Sequence, residues 1–106
     1  MNIPNEKMQY AIDSWVNHGA PHPSGLDSFL RALLTNNLKA TWMMADQTNR
    51  KLLAEWAAYV YWELPSGSHG SEEALLEWHM HRGLAGLADA RAAERSEIAP
   101  KMNGES

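Results

Sequence analysis

The chain has 106 residues, 44% of them hydrophobic, and a formal net charge of −4, which suits one small domain with a modest core and argues against wholesale disorder. The absence of cysteine excludes disulfides, thiolate nucleophiles and cysteine-based zinc sites. Nine basic residues dispersed from Lys7 to Lys101 in an acidic chain work against the phosphate neutralisation that nucleic-acid affinity requires, so nucleic acid is an unlikely partner.

No run approaches the roughly 18 apolar residues of a membrane span. The first ten residues carry Asn5, Glu6 and Lys7 and no apolar centre, unlike a secretory signal, so the expected location is the cytoplasm.

The first helix is marked by Met8, Ala11, Ile12, Trp15 and Val16, one stripe at helical spacing. Pro4 suits a first-turn position. Gly19 ends the helix, and Ala20-Pro21-His22-Pro23 is an extended connector. Ser24 and Asp27 form a capping-box pattern ahead of Leu26, Phe29, Leu30, Leu33 and Leu34. Asn36-Asn37 interrupts this second helix, because Asn tolerates the left-handed conformation of a helix end. A short helix comes next, with Leu38, Trp42 and Ala45 on one side.

Asp46 or Thr48 then caps a helix that runs to about Leu64 and is apolar nearly all round, which marks it as central or shared with another subunit. Pro65 stops it. After the small-residue loop 66–70, Ser71-Glu72-Glu73 opens a further helix with acids placed favourably against its dipole, and Leu75, Leu76, Trp78 and Met80 form its apolar side. Gly83 and Gly86 weaken the helical pattern beyond Arg82. The expected fold is therefore all-α, a bundle of four to five helices in one domain (1–87), with 88–106 a solvated helix fading into a flexible tail.

Few residues here carry chemistry. His79 and His81 lie about 200° apart around a helix and cannot grip one ion together. Glu73, Glu77 and His81 share a face, but without His-x-x-x-His spacing they read as a solvated face, and no metal or other cofactor is expected. Ser66, Ser68, His69 and Ser71 are neighbours in sequence only, and turn chemistry accounts for each, so no catalytic residues and no enzyme are expected. Across residues 26–44 a helix-turn-helix reader would offer only Lys39 and Thr41 to DNA, too few.

Two features point to binding instead. The loop Gly67-Ser68-His69-Gly70-Ser71 leads into a helix N-terminus, a backbone arrangement able to hold phosphate or carboxylate, with Arg82 the nearest downstream cation, about three helical turns on. The chain has five tryptophans, and Trp42-Met43-Met44 with Tyr59 to Trp62 supply more apolar directions than so small a bundle can turn inward. Such surplus belongs at an interface, most simply a symmetric homodimer.

The spaced segments Ser28 to Leu38 (SFLRALLTNNL), Ala45-Asp46-x-x-Asn49, Tyr59-Val60-Tyr61-x-x-Leu64-Pro65 and Gly70-Ser71-x-Glu73-x-x-x-x-Trp78 resemble a family of small phage and prophage proteins over residues 7 to 83. Members often carry Asp at the position of Asn37 and Trp at the position of His69, and this sequence departs at both. The resemblance carries no catalytic residues. It implies a mobile-element accessory protein in the host cytoplasm that acts by non-catalytic binding. Stoichiometric inhibition of a host defence or replication protein comes first, through an aromatic face or acids such as Glu73 and Glu77. The alternative is a sponge that sequesters a nucleotide-type signal beside Gly67 to Ser71.

Overall fold

The computed structural model describes residues 1–104, with side chains through Ala93. Seven α-helices and no strand occur among them: α1 (Gln9–His18), α2 (Ser28–Leu34), α3 (Leu38–Met44), α4 (Gln47–Lys51), α5 (Leu53–Glu63), α6 (Glu72–Met80) and α7 (Gly83–Gly104). The all-α helical fold is as expected. The count exceeds four to five because α2 to α4 are short pieces separated by caps.

Each break has a local cause. Asn36 takes the left-handed conformation (φ 63°) and ends α2, and the Asn37 side chain accepts from the Ala40 N–H to start α3. Asp46 does the same for α4 through the Asn49 N–H. The long helix expected from 46 to 64 divides at Leu52, whose φ of −105° and ψ of 14° leave the helical region. At the start of α2 the expected capping box is replaced by a single cap. Asp27 accepts from the N–H groups of Phe29 and Leu30, while Ser24 lies in a separate 3₁₀ turn, Pro23–Gly25. Pro4 likewise stands outside the first helix, ahead of a 3₁₀ turn, Glu6–Met8, capped by Asn5.

The core is centred on Trp15, Leu30, Leu34, Trp56 and Leu75, all fully buried. Phe29, Trp56 and Tyr59 pack edge to face, with ring centroids 5.7 and 5.9 Å apart, a geometry the ring quadrupoles favour. Every buried indole N–H has a partner. Trp15 Nε1 donates to the Ser68 carbonyl at 2.8 Å, Trp78 Nε1 to the Trp15 carbonyl at 2.7 Å, and Trp56 Nε1 to Asn49 Oδ1 at 3.1 Å. Asn49, itself buried, also accepts from Asn5 Nδ2 at 3.0 Å, joining the N-terminal segment to α4 and α5.

Gly83 has a structural role that its poor helix propensity conceals. It sits at φ 62° where α7 crosses α1, and a Cβ there would lie 2.6–2.7 Å from Gly19 N, His18 N and Val16 O. The crossing admits no side chain. His79 reinforces it by donating Nδ1–H to the Gly19 carbonyl at 2.8 Å. Beyond Leu87, residues Ala88 to Ala93 are exposed, as expected of a solvated helix, and the molecule measures 64 × 26 × 18 Å along its principal axes. The flexible tail expected at the C-terminus falls largely on side chains and terminal residues outside those described.

Gly83→Ala is expected to cost about 2–4 kcal/mol, because backbone strain and a backbone clash coincide, and to lower Tm by at least about 10 °C. Gly70→Ala is the contrast. Gly70 is also at positive φ (128°) but has nothing within 4 Å of its would-be Cβ, so strain alone applies, about 1–2 kcal/mol. Thermal melts followed by circular dichroism measure both.

Candidate functional site

The loop after α5 is held by the tryptophan core. Pro65 opens a 3₁₀ turn, Ser66–Ser68, and the fully buried Ser68 donates its hydroxyl to the Pro65 carbonyl at 2.6 Å. A Cβ at Gly67 would sit 3.3 Å from the Trp78 ring. The Gly70 N–H donates to the Leu34 carbonyl at 2.7 Å, tying the loop to the end of α2. Ser71 caps α6 by accepting from the Ala74 N–H at 3.0 Å. Backbone N–H groups of Ser68, Gly70 and Ala74 are thus committed within the protein, and the Ser68 and Ser71 hydroxyls serve the turn and the cap.

The residues expected to share a site are scattered. Arg82 lies past the far end of α6, a helix of nine residues and so about 13 Å long, and pairs with Asp89 at 3.2 Å. Glu73 and Glu77 are exposed on α6, and the adjacent Glu72 forms a two-point ion pair with Arg31 of α2, both bonds 3.2 Å. Among the described residues, no three His, Asp or Glu side chains converge as a metal site would require.

His69 is brought somewhere else. It lines a cavity of about 270 Å³ between α2, α3 and α5, together with Leu33, Asn36, Leu38, Thr41, Leu53, Ala57, Val60 and Tyr61. Burial lowers the His69 pKa below its ordinary value, since a low-dielectric setting disfavours the cation. The lining holds no carboxylate, lysine or arginine. Sequence reasoning singles out His69 alone of this set as a ligand contact. The other members come from three separate segments, and only the surplus of apolar directions on α3 and α5 hints at them.

The rim is unusual. Leu38 is 81% exposed and Tyr61 71%, with Trp62 at 69% and Trp42 at 53%. Leu38, Trp42 and Ala45, expected on one side of this helix, divide between surface and interior. Thr41 and Ala45 point into the protein, whereas Leu38 and Trp42, one turn apart, point out. The cause is Thr41, whose hydroxyl donates to the Asn37 carbonyl at 2.6 Å and so is satisfied in the interior. Trp42 stacks under the Arg50 guanidinium, 5.0 Å from the ring centroid. Trp62 meets Tyr61 edge to face at 4.7 Å.

No protein-family model, curated protein or solved structure matches this chain.

The lowered His69 pKa makes a signed prediction. The unfolded chain, with His69 near 6.5, takes up its proton before the folded protein does. The stabilising contribution is present above pH 6.5 and is lost as pH falls through the lower folded value. Chemical denaturation across this window should show stability declining with acidification, and His69→Gln should flatten part of that slope.

Proposed function

We propose that this is a non-catalytic binding protein, an accessory factor of a phage or prophage that inhibits a host protein by covering it. The observation that carries this reading is the exposure of four large apolar side chains, Leu38 and Trp42 on α3 and Tyr61 and Trp62 on α5, with Leu38 and Tyr61 lining one pocket. Large apolar side chains grouped in this way mark contact surfaces in water-soluble folds, and Trp, Tyr and Met are the residues that interfaces favour. Met43 and Met44 of α3 are exposed as well. Self-association into a homodimer through α5 belongs to the same reading, because an isologous contact covers the aromatic pair Tyr61–Trp62 on both copies at once. The exposed acids Glu73 and Glu77 lie on another helix and suit steering of a basic host partner.

The nucleotide sponge ranks second. Its phosphates need cations or free N–H donors. Arg82 is engaged with Asp89, and the cavity beside His69 has no basic side chain in its lining other than that imidazole.

Light scattering at micromolar concentration should give twice the 11.9 kDa chain mass, returning to the monomer in Trp62→Lys. A monomeric wild type would overturn the dimer. Host-lysate capture with Trp42→Glu should lose the partner that the wild type retains. Retention of the same partner by Trp42→Glu would remove the α3 face from the reading, and Glu73→Lys with Glu77→Lys should slow association.

A further inference from the structure

We propose that the cavity between α2, α3 and α5 is a binding site for a neutral aromatic small molecule of one or two rings with a hydrogen-bonding edge. This goes beyond the contact reading, which uses the outer rim and needs no cavity. Size comes first: a closed apolar cavity of about 150 Å³ accepts benzene, and this pocket, open to solvent at Asn36, Leu38, Ala57 and Tyr61, has about 270 Å³, room for a bicyclic ring or a substituted single ring. Chemistry comes second. Most of the wall is aliphatic or aromatic, from Leu33, Leu53, Ala57, Val60 and Tyr61, and a flat ring gains dispersion and burial against it.

Polarity then gives the ligand an orientation. The Gly70 N–H bond to the Leu34 carbonyl ties the loop that carries His69 to the end of α2, and both His69 and Asn36, two residues past that end, line the pocket. Neither side chain donates to or accepts from another group among the described residues. Neutral imidazole offers one donor and one acceptor, and burial favours that neutral form. The Thr41 hydroxyl, having given its proton to Asn37, keeps only acceptor capacity. Charge excludes the alternatives: without a lysine, arginine or carboxylate in the lining, an ionised ligand would be desolvated with no counter-ion. Leu38 and Tyr61, exposed at the mouth, are the side chains a bound ring would cover.

Indole is the probe, titrated into the full-length protein by calorimetry and followed by methyl chemical shifts. The expected result is saturable binding, with shifts at Leu33, Leu53, Ala57 and Val60. N-methylindole, which lacks the donor, should bind at least fivefold more weakly, and His69→Phe should abolish that difference. Ala57→Trp fills the cavity from an exposed helix position and should weaken indole at least tenfold without lowering Tm. Should that variant unfold, the wild-type shift map decides by itself. No saturation up to the solubility limit of indole, or shifts that map away from these methyls, would overturn the proposal. Tighter binding of AMP than of adenine would overturn the neutral class and restore a phosphate ligand.

Discussion

A buried indole N–H must find an acceptor or lose the free energy of desolvating it, about 1–3 kcal/mol, and three tryptophans impose that demand on this small domain. Their acceptors are dispersed in sequence. Trp15 on α1 reaches the Ser68 carbonyl 53 residues away, and Trp78 on α6 reaches the Trp15 carbonyl across 63 residues. These two bonds lock α1, α6 and the loop between α5 and α6 into one arrangement. With the Ser68 carbonyl held from one side and the Gly70 N–H held by α2, His69 between them has little freedom. Its place in the cavity wall is set by hydrogen bonds that involve none of its own atoms.

The same demand explains why the cavity is where it is. Trp56 turns its N–H to Asn49 and its ring to Phe29 and Tyr59, so α5 packs inward along Trp56, Tyr59 and Val60. The opposite flank, Ala57 and Tyr61, faces α3. Thr41 of α3 lines the same pocket, shorter than a leucine and already satisfied by backbone. A small polar side chain and an exposed alanine on the walls of one pocket leave a recess that the chain itself does not fill.

Much of the fold is legible in the sequence because its signals are local. Gly19, Asn36, Asn37, Asp46, Pro65 and Ser71 act at the ends of helices as their conformational and capping preferences require. The Met8–Ile12–Trp15 stripe and the Phe29–Leu30–Leu34 face are buried or packed on the core. The illegible part is tertiary. Ser24 has the composition of a capping box but Asp27 alone does the capping, and Leu38, Trp42 and Ala45 have the spacing of one helix side yet only Ala45 is buried, since periodicity gives an apolar stripe without saying what lies beneath it. Gly83 has the sequence character of a weak point in a helix, and only the backbone of α1 against it shows why nothing larger fits. The site is half legible for the same reason. Small residues ahead of a helix promise free N–H groups, several of which are spent internally, while the loop's contribution to the cavity is one imidazole.

Two surfaces of differing chemistry thus meet along α3 and α5. The rim is aromatic, exposed and free to be covered by a large apolar partner. The cavity behind it is small, lined by no carboxylate, lysine or arginine, and polar only at Asn36, Thr41, His69 and the Tyr61 hydroxyl. They share Leu38 and Tyr61, so a ring that entered the cavity would draw these side chains over itself and change the surface offered to a second protein. Occupancy of one surface and contact through the other are then coupled by linkage, in whichever direction the shared side chains prefer, and the coupling is reciprocal. A ligand that preferred the covered arrangement of Leu38 and Tyr61 would compete with a partner that needs them spread open, without touching that partner itself.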